Sequence, residues 1–319
     1  METIVVLAPC DSSTQNPTMS KNTIKDILRG IPGMFVVPGM HIMPIILSYL
    51  SISTASAQEA METEAATMPS PGIFTFRPQF HYEKFGQRPN VESGGILSEE
   101  EHKYAFNVGL QYGIARDWSL ILEVPIVFEQ FNTPDGATED DTGVEDIDAA
   151  LKWRFYKQDQ GGIDTIRAAA IFGARFASGD DEDFSSESVN PHVGAVITIV
   201  KGRHGFNQDI HFTWNTGGTI ESNDGGDGPD DDIMAGTAYV YRIYPDAFTS
   251  ESVGGWYVTA EAIQHYETNG DYEMRFLPGV MYEGRTWAFE AMLILPVIQE
   301  LDERPELQWG AGFGFRLTF

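Results

Sequence analysis

Cysteine is nearly absent: Cys10 is the only one in 319 residues. Neither a disulfide framework nor a thiolate site can be built from the chain that follows it. Bases are scarce as well, with 20 Lys and Arg against 47 Asp and Glu and a net charge of −27. Nucleic acid needs clustered cations, so that balance argues for no nucleic-acid partner. After Ala57 no stretch approaches the roughly 20 apolar residues of a spanning helix. There is no phosphate-cradling glycine motif and no EF-hand spacing, and no cofactor is expected. What the chain does have is glycine (32 residues), aromatics (12%) and a strong two-residue rhythm.

The N-terminal region carries a targeting pattern. Lys21, Lys25 and Arg29 precede a mostly apolar run from Met34 to Leu50, and Ala55-Ser56-Ala57 stands before Gln58. Basic, apolar, then A-x-A is the order of a secretory signal peptide. Pro38 and Pro44 inside the run oppose an anchoring helix. Residues 1–57 are therefore expected to be a signal peptide with an upstream extension, whose start is Met1, Met19 or Met34. They hold three bases and three acids, so their removal leaves the charge at −27. Residues 58–72, small, acidic and proline-containing, are expected to form a flexible periplasmic lead-in.

From Ile73 onward twelve segments have the length of a tilted membrane strand. They run roughly 73–85, 103–114, 118–131, 145–156, 163–177, 190–200, 206–217, 232–244, 255–267, 272–283, 286–298 and 307–319. Trp118, Leu120, Leu122, Val124, Ile126 and Phe128 oppose Ser119, Glu123 and Glu129. Trp287, Phe289, Ala291, Leu293, Leu295 and Val297 oppose Glu290 and Pro296. Short connections alternate with long ones along most of the chain, and a mean hydropathy of −0.21 does not exclude a barrel, whose membrane band is hidden by alternation. The expected fold over 73–319 is all-β: an antiparallel up-and-down transmembrane β-barrel of twelve strands. Trp118, Trp153, Trp214, Trp256, Trp287 and Trp309 are expected at its lipid interfaces.

Charges within the strands lie opposite the apolar bands. They are Glu123, Asp148, Lys152, Arg154, Arg167, Arg175, Asp209, Arg242, Glu261, Arg275, Glu290 and Arg316. An Arg facing lipid near the midplane costs about 2–4 kcal/mol, so these side chains must face a lumen. Two readings are open: a polar constriction that sets selectivity, or a charged filling that leaves little bore. The long connections are acidic, as in Glu221 to Asp232, and weak divalent-cation binding there is weighed against plain solvation. No metal site is expected, since His211 and His265 have no ligand partner at useful spacing. An outer-membrane lipid hydrolase would need a serine paired with histidine, and Asn190-Pro191-His192-Val193-Gly194 lacks one two residues after His192. No catalytic residue is assigned.

The last eleven residues, WGAGFGFRLTF from Trp309 to Phe319, alternate large apolar with small or polar side chains to the final position. This resembles the closing strand of bacterial outer-membrane barrels, which implies that Phe319 is a signal to the barrel-assembly machinery. TGVEDIDAALKWRFYK, from Thr142 to Lys157, resembles a G-x-G-D pattern ending in K-Y-R. It marks the outer-membrane, transporter-like family associated with the meta-cleavage pathway of phenol degradation. Gly143, Asp146, Lys152, Trp153 and Arg154 fit that pattern, while Glu145 replaces its second glycine. Leu122-Glu123-Val124-Pro125, Leu295-Pro296-Val297 and Phe319 fit too. The resemblance implies a barrel in the outer membrane of a Gram-negative bacterium, surrounded by its lipid. It implies passive uptake of small organic compounds, hydrophobic or aromatic. The alternatives are a structural or surface-interaction barrel with a filled lumen and, third, the lipid hydrolase.

Overall fold

The computed structural model describes residues 58–90, 95–180, 184–217, 230–302 and 304–319. The leader expected over 1–57 lies outside the described residues, as do 181–183 and most of the acidic stretch before Asp232. Two-residue alternation yields strands throughout. They are β1 (Phe74–Phe85), β2 (Arg88–Asn90), β3 (Gly95–Ser98), β4 (Glu100–Ala115), β5 (Trp118–Asn132), β6 (Thr138–Val144), β7 (Ile147–Gln160) and β8 (Asp164–Phe176). There follow β9 (Asn190–Lys201), β10 (His204–Thr213), β11 (Asp232–Tyr244), β12 (Gly254–Glu267), β13 (Tyr272–Gly284), β14 (Trp287–Glu300) and β15 (Leu307–Thr318).

Twelve of these close an antiparallel barrel. β1 pairs with both β4 and β15, so the first and last barrel strands meet. Their ends are tied by Phe74 N donating to Phe319 O (2.9 Å) and Phe319 N to Phe74 O (3.0 Å). Closure leaves no free sheet edge, the condition for strands to cross hydrocarbon. β6 is an addition that the sequence reading placed within a long connection. It folds onto the half of β5 away from the termini, from Ile126↔Val144 to Asn132↔Thr138, while β7 pairs with the other half. Short turns lie at the end carrying Phe74 and Phe319, the terminal end. Gly161 and Gly202 occupy positive φ there (68° and 61°), a conformation open to glycine without strain.

Outward positions form an apolar surface that only lipid can solvate. Leu120, Leu151, Phe172, Ile197, Val258, Val280, Leu293 and Phe313 are all exposed on it. The six tryptophans are exposed as well. Trp118, Trp153, Trp256 and Trp287 lie toward the terminal end, and Trp214 and Trp309 toward the loop end. Trp118 stacks on Trp153 at 5.7 Å between ring centroids. These amphipathic rings suit the two water–lipid boundaries.

The interior differs from a simple pore. Residues 58–68, part of the segment that sequence alone suggests is a flexible lead-in, run inside the barrel. Gln58, Ala60, Thr63, Ala65 and Ala66 are fully buried. The glycine face of β15 makes room for this segment. A Cβ on Gly312 would stand 2.7 Å from Met292 Cε and 3.2 Å from Met61 Cε.

Candidate functional site: the occupied lumen

A buried chain without secondary structure must have its amides, carbonyls and charges satisfied by its surroundings. The barrel does this from two sides. Glu59, Glu62 and Glu64 meet basic side chains from one side of the ring. Arg77 on β1 donates through Nη1 to Glu59 Oε1 at 3.0 Å, and Arg316 Nη1 on β15 lies 2.7 Å from Glu59 Oε2. His81 Nε2 is 2.9 Å from Glu62 Oε1. The fully buried Lys152 ammonium on β7 pairs with Glu64 and donates to the Ala65 carbonyl.

Backbone amides of the same segment donate to acids of β10 and β12. Met61, Glu62 and Thr63 give their N–H groups to Glu261 at 3.2, 3.1 and 2.7 Å. Glu64 N donates to Asp209, and Ala66 N to Thr198 Oγ1 at 2.8 Å. Besides Lys152, three side chains donate to its carbonyls. Arg77 Nη2 and Gln79 Nε2 reach Met61 O at 3.2 and 2.9 Å, and Asn207 Nδ2 reaches Gln58 O at 3.0 Å. The segment is thus a plug held by hydrogen bonds and ion pairs from several strands of the wall.

The charges singled out from sequence divide by place. Lys152, Asp209, Glu261 and Arg316 hold the plug directly. Glu290 supports them, 3.8 Å from Arg316 Nη2. Glu123, Asp148 and Arg175 form a row across β5, β7 and β8 in direct register. Glu123 and Arg175 face inward yet are exposed, so this side of the lumen beside the plug is unfilled. Asp148 meets His192 Nε2 at 2.9 Å, which places that histidine in the lumen beside a carboxylate.

Three arginines belong to the terminal end. Arg154 donates to Asp117 Oδ1 (2.9 Å from Nη2) and Arg116 O (2.6 Å), binding the β4–β5 turn. Arg167 donates to Thr165 Oγ1 at 3.0 Å. Arg242 is buried against the Phe248 ring, 4.4 Å from its centroid. Arg275 stands toward the loop end, 2.6 Å from Glu83 and 2.7 Å from Glu273. It borders a cavity of about 260 Å³ shared with Glu83, Phe85, Lys103, Phe131 and Arg304. Phe85 also packs on an apolar patch of Met61, Leu277, Met292, Ile294 and Leu307. Phe85 thus joins this cavity, whose lining is otherwise mostly charged, to an apolar patch that reaches the plug at Met61.

Sequence reasoning missed Arg77, Gln79, His81 and the three plug glutamates. The first three alternate along β1 and were legible as an inward face. The glutamates carried no signal, because their positions follow the cations they meet and no repeat of their own.

The motif from Thr142 to Lys157 acquires structural roles. Gly143 lies under the Phe184 ring, which leaves no room for a Cβ. Lys152 anchors the plug, Trp153 lies in the aromatic girdle and Arg154 binds the turn. Asp146, outside the spanning strands, clamps Ser178, Gly179 and Ser186. It accepts N–H groups of Ser178 (2.9 Å), Gly179 (2.9 Å) and Ser186 (2.8 Å), and the Ser186 hydroxyl. Burial pushes its carboxyl pKa up, but those hydrogen bonds outweigh burial and hold it below the usual range. A lowered folded value stabilises above the unfolded pKa, near 3.9, and is lost as pH falls through the folded one. Amide-exchange protection of Gly179 and Ser186 should therefore hold at neutral pH and fade below about pH 4. Asp146→Ala should remove it at every pH, weakening the loop by about 1–3 kcal/mol. Protection that survives in the variant would contradict the clamp.

Among the described residues no group of three or more His, Cys, Asp or Glu side chains is placed to hold a metal ion. No protein-family model matches the chain, and no curated protein matches it. Among solved structures it is similar to an outer membrane channel from Pseudomonas putida F1. The TM-score is 0.58 at 11% identity, covering 82% of this chain and 100% of that one. It is also similar to the beta domain of the Bordetella autotransporter BrkA, with TM-score 0.43, 11% identity and coverage of 78% and 100%. A third is the translocator domain of the autotransporter NalP from Neisseria meningitidis, with TM-score 0.42, 10% identity and coverage of 80% and 91%. What the chain shares with the Pseudomonas channel is the fold.

Proposed function

We propose that this protein is a channel in the outer membrane of a Gram-negative bacterium for passive uptake of small hydrophobic or aromatic organic compounds. The observation that carries the reading is the lumen. Its axial path is obstructed by residues 58–68, while an apolar patch leads from the loop-end cavity down to Met61. A general pore for hydrophilic solutes needs the reverse, an open polar bore. The fold shared with the Pseudomonas channel and the resemblance to the phenol-pathway family support the same reading. In it, residues 1–57 are the cleaved leader and the terminal end faces the periplasm. Arg77, Lys152 and Arg316 hold the plug, and the Glu123–Asp148–Arg175 row sets what small ions leak past it. Weak divalent-cation binding remains assigned to the acidic connections. No step of this function is enzymatic.

The test is uptake of N-phenyl-1-naphthylamine by lipid vesicles. Vesicles carrying the barrel should load at least several-fold faster than empty ones. Equal rates would contradict the reading. They would favour the structural barrel with a filled lumen, which the buried plug contacts also support. A second expectation concerns Phe319, which pairs with Phe74 at the closing seam. Deleting it should cut the yield of membrane-inserted barrel several-fold in cells while leaving the fold of inserted molecules intact. Undiminished insertion would contradict its role as an assembly signal.

A further inference from the structure

Gln58 is both the first residue after Ala55-Ser56-Ala57 and the first of the buried plug. Cleavage after Ala57 would turn its amide nitrogen into an α-amine, which in water at neutral pH is mostly a cation. The wall offers that charge a poor place. Gln58 is fully buried against the turn between β9 and β10, at the terminal end. A Cβ on Gly205 would stand 2.7 Å from Gln58 Oε1 and 2.8 Å from its Cβ, so β10 approaches as closely as only glycine allows. Asn207 Nδ2 holds the Gln58 carbonyl at 3.0 Å. On β11, which pairs with β10, Arg242 already brings a buried guanidinium to this end. Its Nε and Nη1 have no hydrogen-bond partner among the described residues. A second cation would add charge where one already lacks acceptors, and burying an unpaired charge is costly.

The side-chain amide of Gln58 is equally ill served. Its Oε1 is buried without a hydrogen-bond partner among the described residues. Its Nε2 reaches the Gly202 carbonyl at 3.5 Å, beyond the usual hydrogen-bond range. Buried amides nearly always have partners, so this residue is an exception that calls for a cause. Joined to Ala57, Gln58 also stands at a φ of 44°, in the left-handed region that side chains of its kind seldom enter. Cutting the Ala57–Gln58 bond removes that constraint.

We propose that Gln58 is a modification site: once the leader is cleaved, its α-amine closes on its own side chain to give pyroglutamate, and the plug begins in an uncharged lactam. The α-nitrogen attacks Cδ, the Cδ–Nε2 bond breaks, and Nε2 leaves with a proton of the amine as ammonia. No oxidant or cofactor is needed, and holding both groups in one residue gives the step its intramolecular advantage. Closure removes the ammonium and the poorly held Nε2 donor together, leaving a single lactam N–H. The carbonyl held by Asn207 is untouched. The modification rests on residues 1–57 being a cleaved leader.

Mass spectrometry of the N-terminal peptide tests this on protein taken from outer membranes. Free amines are first blocked by reductive methylation in denaturant at lysis, so that ring closure during digestion is not counted. The peptide should begin at residue 58, lighter by one ammonia than glutamine requires and unmethylated at its N-terminus. Pyroglutamyl aminopeptidase should then remove its first residue. A methylated, open Gln58 in most molecules overturns the modification and leaves the leader reading standing. An N-terminus elsewhere overturns both. Gln58→Asn keeps an amide, but its ring would have only four members, so the free amine persists. In that variant, shown to be folded by heat-dependent gel migration, glutamate-specific cleavage after Glu59 should be at least several-fold faster than in wild type. Cleavage at the wild-type rate would overturn the role of the lactam in seating the start of the plug.

Discussion

A barrel made without residues 58–68, its leader joined directly ahead of Pro69, should conduct ions at least tenfold better than the intact protein in planar bilayers. The plug fills the section of lumen between Arg77, Lys152 and Arg316 on one side and Asp209 and Glu261 on the other. The ring of twelve strands that surrounds it is fixed by strand pairing and does not depend on the plug. Removing the plug leaves charges of both signs facing the vacated space. Water then enters and screens them, so each lost pair costs about 0–1 kcal/mol and the barrel should still insert and resist heat. An unchanged conductance, in a variant shown to be folded, would mean that the plug does not limit the axial path.

The second large effect is expected at Lys152. Its ammonium is fully buried and holds Glu64 and the Ala65 carbonyl together. Lys152→Met keeps the length of the side chain and removes its charge, so Glu64, partly buried, is left with Arg77 Nη1, 3.6 Å away, as its remaining cation. Breaking such a pair from one side costs on the order of 3–5 kcal/mol, whereas replacing both partners by apolar groups is often neutral. The single variant should therefore release the plug, and Lys152→Met with Glu64→Leu should largely restore it. Cleavage by a glutamate-specific protease, read by mass spectrometry at Glu59 and Glu62, reports the release. Resistance of the single variant equal to wild type would contradict the role given to Lys152.

The wall of this molecule was legible in the sequence and its contents were not, for a physical reason. A membrane strand must alternate, because one face meets hydrocarbon and the other does not. Trp118 to Phe128 and Trp287 to Val297 declare both faces at once. The inward face of β15 was equally plain, Gly310, Gly312 and Gly314 alternating with aromatics, but its purpose was hidden. Those glycines leave space for Met61 and its neighbours. The plug has no period to detect. Its conformation is imposed by Glu261, Asp209, Thr198 and Arg77, which lie up to 200 residues away in sequence. β6 was missed for a related reason. Thr138 to Val144 is acidic and exposed for most of its length, so pairing with β5 leaves no hydrophobic signature. Among the charges, alternation gave the correct side of the wall but could not tell a plug anchor such as Lys152 from a turn clamp such as Arg154. That distinction depends on what stands opposite, Glu64 in one case and Asp117 in the other.

The account turns on residues 58–68 lying inside the barrel in the membrane-inserted protein. Thr63 is fully buried beside Glu261, whereas Ser70 is exposed near the terminal end. The most direct measurement is the rate at which a charged, membrane-impermeant methanethiosulfonate reacts with cysteine at each position in vesicles, with the reagent on both sides. Thr63→Cys should react at least a hundredfold more slowly than Ser70→Cys, and should catch up when Lys152→Met is added. Equal rates at the two positions in an otherwise wild-type barrel would place the segment outside the lumen and contradict the account.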